Sequence, residues 1–438
     1  MKQNELLSGN IWKNLITLTC PLLMGNILQQ FYNAMDTWMI GKWIGEHAFA
    51  AAGIAGTFMN LFIFLLHGFC VGSSVLFSQQ YGSGNLKKMR QQVFTALMEG
   101  FGVTLILVII FGAGMPVFLK LLRTPAELFS YTKQYLMVIL FGLPVTWFYN
   151  FYSNLLCSVG NTRQYLIFLS VSVVFNMILD YIILAVLHQG IGSAALATVL
   201  AQLAAGLLCL RYLKKFYPDI LFTRADMKWE KKVVIHTLKF GCVSAMHQSS
   251  IHIGRILVQG TVNTLGVAGI AGYTAAMRIE GFLKSFGTSG AQSLTVFISQ
   301  NYGAGKKKRV HEIFRKGMCF MIIMAAIVSV SLHFFSKEAV GFFILPEQTD
   351  AFVQGIEYIN MITFFYLFDY MGSAFVGNLR GTGRITVPFM GTTFHITIRV
   401  ILAMLLVPKM GILGVAVATG IGWICVNVAD GILELKDR

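Results

Sequence analysis

Charge is scarce in this chain. Asp, Glu, Lys and Arg make up 12% of its 438 residues, about half the share found in an average soluble domain. Proline is thin too, at eight, so long helices are seldom interrupted. The seven cysteines (20, 70, 157, 209, 242, 319 and 425) make no CxxC pair and no metal-ligand spacing. They read as small buried hydrophobes. There is no GxxxxGKS/T loop for nucleotide phosphates and no recognisable nucleophile–base pair, so no enzyme is expected. The first apolar run follows the polar stub MKQNELLSGN without a small-residue cleavage pattern, and no cleaved signal peptide is expected.

What the chain does have is apolar sequence. It is 56% hydrophobic, with a mean hydropathy of +0.68. Apolar runs recur along its whole length, which predicts an all-α polytopic membrane protein. Twelve spans are read, near 14–40, 49–75, 91–113, 132–156, 163–187, 192–213, 234–259, 268–298, 315–336, 356–379, 385–407 and 412–433. The net charge of +15 could suggest nucleic acid, but its placement argues otherwise. With both termini cytoplasmic, 24 of the 34 Lys and Arg fall in or beside cytoplasmic segments. That is the positive-inside bias of a cell-membrane protein whose basic loops meet anionic lipid. No nucleic acid partner is expected.

The chain is an internal repeat with a shift of 221 residues. Ser78-Gln79-Gln80-Tyr81-Gly82-Ser83-Gly84 meets Ser299-Gln300-Asn301-Tyr302-Gly303-Ala304-Gly305. Gly45 meets Gly266, Gly160 meets Gly381, and Gly190 meets Gly411. The expected organisation is an amino-terminal six-helix lobe (1–215), a cytoplasmic linker (216–233) and a carboxy-terminal six-helix lobe (234–438). Two lobes that enter the membrane in the same sense suit alternating access.

Polar residues inside the spans are the candidate functional groups, because a charge at hydrocarbon depth costs about 2.5–3.5 kcal/mol on insertion scales. Asp36 is the one charged residue in Pro21–Gly41. Asn176 and Asp180 share a helix face at i, i+4. Asp180 and Thr198 each lie nine residues from Gln189, so both sit about 13 Å from that turn on adjacent antiparallel helices. Two carboxylates, an amide and a hydroxyl suit a small hard cation. The carboxylates would repel each other, so a proton would serve as well. Coupling-ion chemistry is expected here; a static pair knitting three helices is the plainer alternative. Pro21 offers the Asp36 helix a place to bend, or simply lies in its first turn.

The second half is no copy of this arrangement. Asp36 meets Leu257, and Asp180 meets Ile401. Asp369, Arg255, Arg278, Glu280, Lys284 and Arg399 lie in or near its spans instead. Glu280 and Lys284 are spaced to pair. Asp369 with Arg255 or Arg399 is either a buried ion pair or functional.

The chain resembles the multidrug and toxic compound extrusion transporters. The resemblance is carried by PLLMGNILQQFYNAMDTWMIGKWIG, SQQYGSGN with its repeat SQNYGAGK, FNMILDYIIL, GIGSAALATVLAQ, and NLRGTGRITVP with GILGVAVATGIGW. It implies a V-shaped fold of twelve helices in two pseudo-symmetric bundles. It implies an antiporter that exports amphipathic and often cationic compounds for inward Na⁺ or H⁺; a monomer without a cofactor is expected. It places the coupling-ion site on Asp36, Asn176, Asp180 and Thr198, and the helix-one bend at Pro21. Asp369 matches an acidic residue of the Na⁺-coupled members. Their helix-seven glutamate is missing: AMHQSSIHIGR puts His252 or Ile251 there, so the second lobe's cation site is incomplete. A flippase for lipids or lipid-linked oligosaccharides, from the same wider superfamily, is the competing expectation.

Overall fold

The computed structural model describes residues 3–121, 124–345, 347 and 349–436. Among these residues there are helices and no strands. In chain order, the short α1 (Gln3–Ser8) is followed by α2 (Ile11–Trp43), α3 (Glu46–Ser83), α4 (Leu86–Leu121), α5 (Ala126–Ser158), α6 (Thr162–Asp180) and α7 (Ile191–Phe216). Then come α8 (Lys231–Val262), α9 (Gly266–Gly303), α10 (Lys307–Phe334), α11 (Ser336–Gly341), α12 (Thr349–Thr363), α13 (Tyr366–Gly381), α14 (Thr386–Met410) and α15 (Ile412–Lys436). Arg123 and both chain ends, which bear on the topology expected from sequence, lie outside the described residues.

Among the described residues nine helices are long and apolar enough to cross a membrane, or ten if α12 and α13 form one bent span. α8 and α9 are as long but more polar, since they carry His247, His252, Arg255, Arg278, Glu280 and Lys284. The tenth span, read as one run, is two helices bent by 53° at a break. No proline or glycine stands at the break, at Phe364 and Phe365. The corresponding first-half residue is Pro144, inside the unbroken α5.

The repeat is visible in the backbone. Gly84 and Gly305 both close a helix with positive φ, at 73° and 72°, the left-handed cap that glycine adopts without strain. Gly84 N–H bonds Tyr81 and Asn85 N–H bonds Gln80; Gly305 N–H bonds Tyr302 and Lys306 N–H bonds Asn301. One expected match slips. The turn that Gly160 makes after α5 is made after α13 by Gly383, not Gly381.

Two compact units result. One is Cys20–Ala245; the other is Asn4–Thr19 with Met246 onward. This division runs through α8, not through the loop before it. Close packing explains the first part of α8: a Cβ on Gly72 would stand 2.1 Å from the Phe240 carbonyl oxygen, and one on Gly68 2.6 Å from the Ala245 Cα. Small residues let helix backbones approach where lipid leaves little hydrophobic drive. The amino-terminal segment is held in the second unit by polar bonds. Asn301 donates to the Leu6 carbonyl (3.2 Å) and Lys306 to that of Leu7 (2.8 Å). Arg309 donates to Gly9, and Thr19 Oγ1 to Ser293 Oγ at 2.9 Å.

The first unit's core gathers on α5, where Trp147 and Phe151 pack edge-on to Phe69 and Phe77 at 5.6 and 5.9 Å. The second unit's core holds Tyr273, Tyr358, Tyr366 and Trp423. Outward faces are apolar: Ile106, Ile109, Ile110 and Val117 on α4 are exposed, at helical spacing, as a lipid-facing stripe requires.

Candidate functional site

In the first unit, α2, α5, α6 and α7 bring Asp36, Asn176, Asp180 and Thr198 together. Asn176 and Asp180 are buried one turn apart on α6. With its amide turned to satisfy both ends, Asn176 donates to Asp180 Oδ2 at 2.9 Å and accepts from the Thr198 N–H at 3.1 Å. The Asp36 carboxyl reaches the Asp180 carboxyl from α2. Its Oδ1 and the Oδ1 of Asp180 are closed off from solvent, with no hydrogen-bond partner among the described residues. Directly after Asp180 the regular pitch gives way to a π-helical turn, Tyr181–Val186, a distortion frequent at functional sites.

Two members were missed in the sequence. Tyr32 Oη lies 3.1 Å from Thr198 Oγ1, and the Tyr135 side chain from α5 meets Asp36. Tyr32 stands four residues before Asp36, so its i, i+4 spacing was a usable signal. Tyr135 sits in an apolar run that gives none.

Chemically, this is a ring of oxygens around two carboxyls. Two like charges about 4 Å apart repel by roughly 4 kcal/mol at an effective dielectric of about 20. The pair is therefore most stable with a proton or a small cation in it. No group of three or more His, Cys, Asp and Glu suited to a metal is found among the described residues.

Pro21 lies well inside α2, not in its first turn, so the plainer alternative for it fails. It removes the N–H that would otherwise meet the Thr17 carbonyl. The change from one compact unit to the other falls at Thr19 and Cys20, just before it.

The second unit gathers a different set. Glu280 and Lys284 pair at 3.0 Å, and Tyr358 Oη donates to Glu280 at 2.8 Å. Asp369 feels Lys284, Glu280, Arg255 and Arg399. It forms no ion pair with Arg255 or Arg399 among the described residues, which corrects that expectation. Its place is the first turn of α13, where the helix dipole favours a carboxylate. Arg278 is exposed on α9 and does not join the cluster. His252 is half-buried on α8, one turn before Arg255. His247 bonds Arg380 and, at 2.6 Å, Thr392.

Comparison with known proteins agrees with this architecture. The chain is 27% identical over 390 residues to the probable multidrug resistance protein YpnP of Bacillus subtilis, covering 87% of this chain and 85% of that one. It is 26% identical over 419 residues to the probable multidrug resistance protein NorM of Thermotoga maritima, covering 92% and 88%. A solved transporter of the MOP superfamily from Pyrococcus furiosus shares the fold at a TM-score of 0.91 and 20% identity, over 99% of this chain and 97% of that one. The sequence model of the MatE family matches residues 21–182 and again 244–405. Matched in both halves of its repeat, the chain belongs to the MatE family of multidrug and toxic compound extrusion proteins and is a transporter, not an enzyme.

Proposed function

We propose that the protein is a secondary antiporter of the cell membrane, with both termini cytoplasmic, working as a single chain. It exports amphipathic, cationic organic compounds and takes in Na⁺ or H⁺. The carrying observation is the facing pair Asp36 and Asp180, each with a buried, unpartnered oxygen. Asn176 and Thr198 hold the pair in register, and Tyr32 and Tyr135 complete the ring. An ion that binds this ring in one state of the transporter biases the state equilibrium by its differential affinity, and substrate selects the other state.

Two relatives are named probable multidrug resistance proteins, and the chain covers 85% of YpnP and 88% of NorM, which supports a reading as an exporter of small molecules. The test is efflux of a fluorescent organic cation from proteoliposomes, under an imposed Na⁺ gradient and separately under an imposed pH gradient. One gradient alone should drive efflux against concentration, and Asp36→Asn should abolish the drive. Transport that ignores both gradients refutes the reading.

A further inference from the structure

Glu99 is an acid with nothing to hold it. It lies 13 residues into α4, about 20 Å along the helix. Both of its carboxyl oxygens are closed off from solvent, with no hydrogen-bond partner among the described residues. It makes no ion pair among them either. A buried carboxyl in this position needs a donor.

The same face of α4 carries more. Lys88, Gln92, Thr95 and Glu99 are spaced i, i+4, i+7 and i+11, one stripe of a helix. Gln92 and Thr95 are 1% and 0% exposed, and Gln92 Oε1 and Thr95 Oγ1 are again without a partner among the described residues. The first part of α8, which belongs to the same unit, runs along this stripe. Lys88 acts on His236 at one end, and Glu99 acts on Cys242 at the other. Between them Thr237 Oγ1 is also buried and unpartnered among the described residues. The approach to α8 is tied to α4 as well. Gln91 donates to the Lys228 carbonyl at 3.5 Å, and Phe94 packs edge-on to Trp229 at 5.6 Å.

Acceptors outnumber donors in this seam. A carboxylate and the amide oxygen only accept, and the two hydroxyls turn either way. What they lack is protons. Thr95 lies about 4.5 Å along the axis from Gln92 and about 6 Å from Glu99. A single water bonded to an oxygen on each side spans about 5.6 Å. At the open end Lys88 and His236 are exposed, and histidine is the side chain that takes and gives protons near neutral pH. The second unit has no counterpart: under the 221-residue shift Gln92, Thr95 and Glu99 become Ile313, Lys316 and Phe320.

We propose that Glu99 is a proton-binding site separate from the Asp36–Asp180 ring, and that it exchanges its proton with the cytoplasm along the seam between α4 and α8, past Thr95, Gln92 and His236. In each exchange one proton passes from a carboxyl oxygen to water, and the electron pair of the O–H bond stays on Glu99. This rests on the transport reading above for its orientation and deepens it: the first unit has an acid on the inner side from which a proton leaves.

The test is infrared spectroscopy of the purified full-length protein with no gradient imposed. Both ring carboxyls are first removed by Asp36→Asn and Asp180→Asn, so the result stands apart from whether the ring couples transport to an ion. Adding Glu99→Gln to that background and subtracting the two spectra should leave the carbonyl stretch of one protonated carboxyl at neutral pH. Raising the pH should convert it to a carboxylate band. Glu99→Asp should restore a shifted band, which a merely structural glutamate would not require. Gln92→Leu with Thr95→Val should slow deuterium exchange of the band by at least roughly tenfold, since a positioned group speeds proton transfer on that scale or more. No carboxyl band in the difference, or exchange unchanged when Gln92 and Thr95 are both replaced, overturns the proposal. A carboxylate band at neutral pH that moves when NaCl is added assigns Glu99 to a metal cation and overturns it too.

Discussion

The two units share a backbone and differ in what they bury. Under the 221-residue shift, the helix-closing glycines Gly84 and Gly305 coincide with matching hydrogen bonds. The chemistry does not coincide. Asp36, Asp180, Tyr32 and Tyr135 meet Leu257, Ile401, Ile253 and Ile356; Arg399, Glu280, Lys284 and Asp369 meet Ile178, Met59, Ile63 and Phe148. At these eight positions each unit has an apolar residue where the other is polar. The repeated fold thus holds two polar clusters of different charge, one acidic and one mixed. Function therefore has to be argued unit by unit.

The largest expected effect breaks the acidic side of this contrast. Asp36→Asn removes one of two carboxylates from the ring. A loss of about 3 kcal/mol corresponds to a roughly hundredfold weaker coupling ion. Ion-driven efflux should disappear while helicity by circular dichroism is kept. Asp369→Asn should leave coupling-ion affinity within about threefold, since a change of roughly 0.6 kcal/mol or less is that small. Equal losses in the two variants would erase the distinction between the units.

A second comparison concerns stability. Gly72 on α3 meets Phe240; shifted by 221 these become Ser293 and Thr19, which also meet. One contact is a close backbone approach, the other a hydroxyl pair. Gly72→Leu forces a Cβ into the Phe240 carbonyl and should cost about 3 kcal/mol. Ser293→Ala loses two hydrogen bonds, one accepted from Thr19 and one donated to the Ser289 carbonyl, about 0.6 kcal/mol each within the membrane. Thermal unfolding in detergent should rank them in that order, and the reverse order would contradict the packing described.

Much of this was readable from residues. The repeat lay in identities at fixed spacing. Asp36, Asn176, Asp180 and Thr198 were reached from polarity and helical rise, because a charge in an apolar run has few tolerable places. Three things were hidden, each for a physical reason. Tyr135 is amphipathic, and its hydroxyl does not stand out among rings that face lipid or core. The break between α12 and α13 occurs in Thr363-Phe364-Phe365, with no helix-breaking residue to mark it. The unit boundary inside α8 depends on which backbone Gly68 and Gly72 admit, and composition does not say which partner that is. The identity of the proposed coupling ion stayed open because oxygens of this kind suit Na⁺ and H⁺ alike.

Thr198 and Thr419 sharpen the comparison at one matched position. Thr198 Oγ1 donates weakly to the Ala194 carbonyl of its own helix at 3.4 Å and also lies 3.1 Å from Tyr32 Oη, whereas Thr419 Oγ1 donates to the Val415 carbonyl of its own helix at 2.8 Å. Thr198→Val should weaken the coupling ion about tenfold, near 1.4 kcal/mol. Thr419→Val exchanges a hydroxyl that is satisfied locally and should change it less than about twofold. Ion titrations of substrate displacement read both. A Thr419→Val effect as large as that of Thr198→Val would mean that the second unit also takes part in ion binding.

The smallest effect lies outside the membrane, where the same pseudo-equivalent segment is tied down in two ways. Residues 5–9 offer the carbonyls of Leu6, Leu7 and Gly9 to Asn301, Lys306 and Arg309. Shifted by 221 they become residues 226–230, and here the tie is a carboxylate: Asp226 Oδ2 faces Arg90 Nε at 3.0 Å and accepts from Thr223. Burial alone would raise the Asp226 carboxyl, but the Thr223 and Arg90 hydrogen bonds outweigh it and hold it below the ordinary range. A carboxyl lowered in the folded state stabilises above its unfolded value, about 3.9, and that contribution fades as pH falls through the folded value. Asp226→Asn should therefore cost at most about 1 kcal/mol near neutral pH. The cost should shrink in melting curves taken below the unfolded value of about 3.9. The carbonyl ties of the amino-terminal segment do not titrate, so Lys306→Ala should cost the same at both pH values. A pH-independent penalty for Asp226→Asn would show that the linker is held by shape and not by charge.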